Sequence, residues 1–426
     1  MMDAMNDALN SEPAPAVSAP ATPAALVPQN LLAQRGFLVY LGARSFSEYS
    51  YQIATVAVGW QIYELTGSAL DLGLVGLVQF IPSALLVFVA GHAADRYDRK
   101  RVAQICQIAE GLVATLLAWG TFAGWLTVPE IFAALAVLGV TAAFEVPAGA
   151  ALLPGVVPEG TLQKATAFSS GAFQAAAISG PALGGVAYAI APGAPYLLMA
   201  MFSLLAGTLS GMIRLQKPVE AKEPPSFDDL FAGAGFVRQN PAILGTISLD
   251  LFAVLFGGAT ALLPIYAHDI LQTGPWGLGL LRAAPAVGAL LMTAVLARHA
   301  LNRRVGLRMF QSVIVFGLAT VVFALSHLIW LSVLALLVMG AADMVSVVIR
   351  TSLVQLATPD PMRGRVGAVN HLFINASNQL GQFESGITAA LLGAMPAAAL
   401  GGVGTVAIAL LWMKLFPALR NVERLE

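Results

Sequence analysis

Charge is scarce in this sequence. Lys, Arg, Asp and Glu make up 11% of its 426 residues, where a water-soluble domain carries about 25%. A chain so poor in charge lacks the means to cover a water-facing surface, which excludes an ordinary soluble enzyme. The two signs nearly cancel, 22 basic against 23 acidic, so no basic excess points to nucleic acid. Cysteine is nearly absent: Cys106 stands alone in an apolar run, which excludes an internal disulfide and a cysteine-based metal site. The five histidines (His92, His268, His299, His327 and His371) are scattered without metal-ligand spacing, so no metal is expected. No Gly-x-x-x-x-Gly-Lys-Ser/Thr loop occurs, so ATP does not drive the protein directly and no cofactor is expected.

What the sequence has is apolar length. Hydrophobic residues make up 58% of it, and the mean hydropathy is +0.78. A membrane-spanning helix needs about 20 apolar residues. At roughly 30 residues per span and loop, the chain holds about a dozen. Spans are expected near 37–62, 72–93, 103–125, 128–150, 165–190 and 194–213. A second group is expected near 243–267, 277–298, 309–326, 329–350, 366–392 and 396–416. Runs such as LLVFVAG and LAVLGV do not alternate polar and apolar residues, so helices are expected rather than a barrel. The fold class is therefore an all-α membrane protein.

The ends and the middle differ. Residues 1–35 are rich in Pro and Ala, with five prolines from Pro13 to Pro28, and read as a disordered tail rather than a signal peptide. Residues 214–241 form the longest polar stretch, expected to be a linker ending in an amphipathic helix between Pro225 and Pro241. The expected organisation is a tail (1–35), a six-helix bundle (36–213), the linker (214–241), a second six-helix bundle (242–417) and a short tail (418–426).

Basic residues segregate. With the tails and the loops after even-numbered spans assigned to one side, that side takes 20 of the 22 Lys and Arg residues. Arg44 lies inside span one, and Arg282 falls near the other side. The positive-inside rule then puts both termini in the cytoplasm of a multi-pass protein.

The halves repeat. At an offset of 201 residues, VVPEGTLQKATAF (156–168) falls on ATPDPMRGRVGAV (357–369), Gly180 on Gly381 and Gly185 on Gly386. A parallel repeat implies two bundles related by an axis along the membrane normal. Such a body can rock about a site at its midplane.

Between spans two and three stands GHAADRYDRKRV, Gly91 to Val102. Gly91 would permit close helix approach. Asp95 could face a helix N-terminus. Arg96, Arg99, Lys100 and Arg101 would sit at an anionic leaflet. The set Gly91, Asp95, Arg96, Arg99 and Lys100 resembles the loop signature of the major facilitator superfamily, Gly-x-x-x-Asp-Arg-x-x-Arg-Lys, with Asp98 where the family commonly has glycine. That variant, with YELTGSAL (63–70), residues 238–267, VQLATPDPMRGRVGAVN (354–370) and SNQLGQFESG (377–386), is similar to the drug:proton antiporter branch that contains the enterobactin exporter and macrolide efflux pumps. Where relatives often have acids, this chain has Gln379 and Gln382. Gly364 and Arg365 join the gating set. ISGPALGGVAYA (178–189), with Gly180, Pro181, Gly184 and Gly185, resembles the family's antiporter motif; read from the residues alone, it is equally a glycine-rich packing seam.

The resemblance implies a facilitator fold of about twelve helices in two pseudo-symmetric bundles, in the bacterial cytoplasmic (inner) membrane. It implies a monomer that exports a small amphipathic molecule, such as a siderophore or drug, in exchange for protons. Other solutes, such as a lysolipid or sugar, remain open, as does a non-transporting sensor.

Ionisable groups inside a membrane cost about 2.5–3.5 kcal/mol each on insertion scales, so function is their first explanation. Arg44 and Glu48 are spaced i,i+4 on one face of span one. Glu48 is the leading proton-coupling candidate, with a permanent Arg44–Glu48 ion pair as the structural alternative. Asp250 and Asp343 are further coupling candidates, or packing residues set against a serine. Glu145 is expected to pair with Arg350 as a gate. Glu110 and Glu384 carry no assigned role.

Overall fold

The computed structural model describes residues 30–158, 160–215, 227–299 and 303–424. The expected tail at 1–29, the first part of the linker at 216–226 and the side chain of Asp95 lie outside the described residues. The described residues contain helices and no strands.

The first half runs α1 (Arg35–Thr66), α2 (Ala69–Arg96), α3 (Arg99–Ala123), α4 (Val128–Val156), α5 (Leu162–Ile190) and α6 (Ala194–Met212). The connections are short because the caps are local. Gly67, at φ 61°, ends α1, and the Ser68 hydroxyl accepts the amide of Asp71 to begin α2. The loop before α4 carries a capping box: Glu130 accepts the backbone amide of Thr127 at 2.6 Å and its side chain meets the Thr127 hydroxyl. A linker helix, α7 (Phe227–Gln239), follows where the sequence places an amphipathic segment. It packs its Phe236–Val237 edge on the second half, in a cluster with Ile243, Val354, Val366 and Val369.

The second half runs α8 (Pro241–Phe256), the one-turn α9 (Leu263–Ile265), α10 (Gly274–Arg298), α11 (Val305–Ala324), α12 (Ile329–Ala357), α13 (Arg363–Leu392), α14 (Ala394–Leu415) and the terminal turn α15 (Pro417–Arg420). The span expected at 243–267 is not one continuous helix. It breaks at Gly257–Gly258, passes a 3-10 turn at Ala259–Leu262, and finishes in α9 and a π turn at Tyr266–Ile270. A Cβ at Gly258 would lie 2.3 Å from the Gly381 carbonyl oxygen of α13. The break is where another backbone comes too close for a side chain.

Ten of the helical segments are long and apolar enough to cross a membrane, by length and composition. α1 and α13 occupy the remaining two span positions and are not among the ten. Both carry polar residues through their middles: Arg44, Glu48 and Gln52 in α1, and Asn375, Asn378, Gln379, Gln382 and Glu384 in α13. Large apolar side chains such as Leu85, Ile190, Trp330 and Leu391 are exposed on the outer surface, as a lipid-facing surface requires.

Each half packs on itself, and glycines join the halves. Gly73 of α2 meets Gly386 of α13, and Gly185 of α5 meets Gly279 of α10. These contacts obey the repeat. Gly180 takes Gln52 of α1, and its counterpart Gly381 takes Val254 and Leu255 of α8; Gly185 joins α10, and its counterpart Gly386 joins α2. Both joints lie near the α1–α2, α5–α6 and α13–α14 connections, on the face opposite the one where α1 begins and α14 ends. Toward the termini, α5 exposes Leu162, Phe168, Gly171 and Phe173. The two halves are sealed at one end.

Candidate functional site

Buried polar residues collect in each half where its first and fourth helices meet. In the first half Glu145 of α4 is buried. Its Oε1 accepts the Ser47 hydroxyl of α1 at 2.6 Å and the Gln107 amide of α3 at 2.8 Å. Gln107 in turn accepts the Ser210 hydroxyl of α6 at 2.7 Å. Glu110 of α3 stands near the same group, beside Thr141 and Glu145. α1 and α3 thus reach the carboxylate of α4 directly, and α6 reaches it through Gln107. Sequence reading missed that convergence, although Gln107 and Glu110 share one face of α3 at i,i+3 spacing.

The expected Arg44–Glu48 ion pair is absent among the described residues. Arg44 instead lies against α4, where a Cβ at Gly149 would sit 3.0 Å from its Nη1. Glu48 accepts the Gln52 side-chain amide at 2.7 Å. The two charges share a helical face, but the missing side chain at Gly149 draws the guanidinium aside.

In the second half Asp250 of α8 and Arg350 of α12 form a buried ion pair. This overturns the expected gate between Glu145 and Arg350: Arg350 is taken by an acid of its own half, and Glu145 by neutral donors of its own. Asp343 lines a small cleft beside this pair, with Asp250, Ser312, Phe316 and Ser346.

The sealed end carries a polar and aromatic plug. The Tyr63 hydroxyl of α1 hydrogen-bonds Asp269 of the π turn. His268 stacks near Trp60 and Tyr63, with centroids 5.3 and 5.6 Å apart, and its Nδ1 lies 2.6 Å from Asp269 Oδ1. The Tyr188 hydroxyl donates to Glu64 at 2.7 Å, tying α5 to α1. The broken span therefore supplies the residues that cover the end of α1.

With this geometry in place, comparison with known proteins is decisive. The family model described as "Major Facilitator Superfamily" matches residues 41–382. The chain belongs to the major facilitator superfamily. It is 29% identical over 398 residues to the enterobactin exporter EntS of Citrobacter koseri, covering 90% of this chain and 92% of that one. It is 22% identical over 400 residues to macrolide efflux protein A of Streptococcus pyogenes, covering 92% and 97%. Among solved structures, a bacterial homologue of the iron transporter ferroportin in an inward-facing state superposes with a TM-score of 0.70. That match has 19% identity and covers 92% of this chain and 100% of that one. The fold is the facilitator fold, and the protein is a multi-pass membrane transporter of small molecules, not an enzyme.

The facilitator loop signature spans the end of α2 and the start of α3. Gly91 is not a close-approach point, because nothing among the described residues lies within 4 Å of where its Cβ would be. The same is true of Gly364. Asp98 caps α3 by accepting the amide of Lys100 at 3.0 Å, and lies 3.7 Å from Arg101. The aspartate that replaces the family's usual glycine thus has a local structural role. Arg96 is exposed, Arg99 and Lys100 are half-buried, and Arg365 lies in the first turn of α13, where its carbonyl lies against Gly233 of α7. In the motif that resembles the antiporter signature, Gly180 takes Gln52 of α1 and Gly184 takes Ile53 and Val56, while Gly185 and the Pro181 carbonyl meet α10. One seam packs two helices, one from each half.

Proposed function

We propose that the protein exports a small amphipathic molecule, of siderophore or hydrophobic-drug type, from the cytoplasm of a bacterium across its inner membrane in exchange for protons. The observation that carries this reading is the one-ended seal. Paired glycine joints close one end of the two halves, while buried carboxylates stand deeper in each half. Rocking about those joints would expose a central site first to one side and then to the other. The basic residues gather on the face that carries the termini, which supports a cytoplasmic placement of both ends. Glu48 is the coupling carboxylate in this reading. It has a neutral hydrogen-bond partner and no cation bound to it, so gaining a proton breaks no ion pair. Asp250 is tied to Arg350 and is the weaker candidate, and the gate set around Arg96, Arg99 and Lys100 stays part of the proposal.

The test is efflux from cells or inside-out vesicles of a panel of catecholate siderophores, macrolides and lysophospholipids, with and without a proton gradient. At least one compound should move outward, and its movement should stop when the gradient is collapsed. Gradient-independent equilibration of every compound would rule out exchange with protons.

A further inference from the structure

Arg44, Arg282 and Arg350 stand within the helices, Arg350 buried and the other two half-buried, and they are not alike. Arg44 lies against α4 near Glu145, and Arg350 is neutralised by Asp250. Arg282 of α10 has no carboxylate paired with it among the described residues, and its Nε is buried without a hydrogen-bond partner. Its position on the chain lies one turn past Gly279, where α10 crosses Pro181 and Ala182 of α5. From there the side chain turns to α1. A Cβ at Gly59 would lie 3.3 Å from its Nη2, and Pro264 of the broken span comes within 3.4 Å of the same point. The guanidinium therefore sits directly beneath the seal, between the two halves.

Its surroundings hold little to neutralise it. From α1 the Tyr51 phenol interacts with it electrostatically, and Glu48 interacts with the same phenol. From α5 the Gln174 amide is committed to the Ala286 carbonyl at 2.8 Å. Asp343 of α12 opens onto the Asp250 cleft instead. An unpaired guanidinium in a low-dielectric place is strongly disfavoured unless something periodically neutralises it. Its planar fork matches a carboxylate or catecholate in two parallel hydrogen bonds.

We propose that Arg282 is an anion-binding centre between the two halves, and that the exported molecule carries a carboxylate or catecholate oxyanion that docks on it. This rests on the export reading and narrows it to anionic amphiphiles. Gly59 is part of the site: the missing side chain lets the guanidinium lie against α1. Tyr51 stands beside it as an aromatic wall for the apolar part of the ligand.

The test uses the full chain in lipid nanodiscs and two matched probes, N-dansylglycine and its methyl ester, titrated by fluorescence. The wild-type protein should bind the acid at least about tenfold more tightly than the ester. R282Q should abolish that preference while leaving ester binding intact, which also shows that it is folded. R282K should restore part of it. G59A, whose new methyl presses on the guanidinium, should weaken acid binding several-fold and leave ester binding unchanged, so the proposal stays testable if R282Q does not fold. Equal binding of acid and ester by the wild type, binding of neither, or an unchanged preference in R282Q or G59A would overturn it. Gradient-driven efflux of an anionic member of the panel, a catecholate siderophore, measured in parallel, separates the two readings. If efflux persists and the acid preference is absent, only the Arg282 proposal falls; if the preference is present and no compound is driven by the gradient, only the exchange reading falls.

Discussion

Glu145, Glu48 and Asp250 meet the problem of a carboxylate in hydrocarbon in three ways. Glu145 accepts hydrogen bonds from two neutral donors with Glu110 beside it, Asp250 is given a cation, and Glu48 has a single amide. These environments lead to different expectations. Glu48→Gln keeps the size and a hydrogen-bond acceptor for Gln52 but removes the titrating oxygen. It should abolish gradient-driven export in proteoliposomes while leaving ligand binding within about twofold, as both assays read directly. Normal driven export in that variant would remove Glu48 from the mechanism. Arg350→Met strands the Asp250 carboxylate in a buried place. The expected loss of stability is about 3–5 kcal/mol, read as a fall in the melting temperature in detergent. Adding Asp250→Asn should recover most of that loss. If the single and double variants melt alike, the buried pair contributes no coupling. Of these residues the sequence revealed the positions but not the partners. Asp250 and Arg350 are 100 residues apart, and hydropathy carries no information on which of two distant helices will turn a given face to the other.

Two of the membrane helices fail a hydropathy test for a reason that the packing explains. α1 and α13 turn several of their amides to other helices: Gln52 against Gly180, and Gln379 and Gln382 against Gly76. Lipid need not meet those groups, so a helix in contact with neighbours on several sides tolerates polarity that an isolated span would not. The glycine seams are the complement of this arrangement. Gly185→Leu would drive a side chain into the Pro275 carbonyl oxygen, which lies 2.5 Å from where even a Cβ would stand. Backbone cannot yield as a flexible side chain can, so the joint between α5 and α10 should part. In a chain with Cys106 replaced by Ser and Ser179 by Cys, Gly185→Leu should raise labelling by a membrane-impermeant maleimide from the outer side several-fold and reduce transport. Unchanged labelling would mean that this joint does not hold the end closed. The seam itself was legible as ISGPALGGV and as a repeat at an offset of 201 residues. The break at Gly257–Gly258 was passed over because FGGATALLP keeps its hydrophobicity while losing its helix.

For the molecule as a whole, the plug at the sealed end is the counterpart of the glycine joints. Tyr63 and Asp269 come from opposite halves, and their hydrogen bond must break before the halves part at that end. Asp269→Asn replaces a charge-assisted bond with a neutral one, a loss of about 1 kcal/mol, which corresponds to roughly a fivefold shift between closed and open populations. Spin labels on Leu65 and Gln272 should report a longer inter-label distance in that variant. The same distance distribution as in the wild type would show that the aromatic stacking of Trp60 and His268 suffices to hold the end shut.

Membrane residence, the helical fold class and the family follow from properties read along the chain. Apolar length, repeat spacing and the count of Lys and Arg need no knowledge of which helix touches which. The choice of partner is different in kind. Whether Arg350 meets Glu145 or Asp250, whether Arg44 closes on Glu48 or leans into the gap at Gly149, and whether Arg282 is a loop charge or a lone cation beneath a seal depend on how helices rotate and cross in space. Each helix turns about 100° per residue, and a small change in its rotation exchanges one set of neighbours for another. The pairings that matter for transport were therefore settled by packing among segments far apart in sequence.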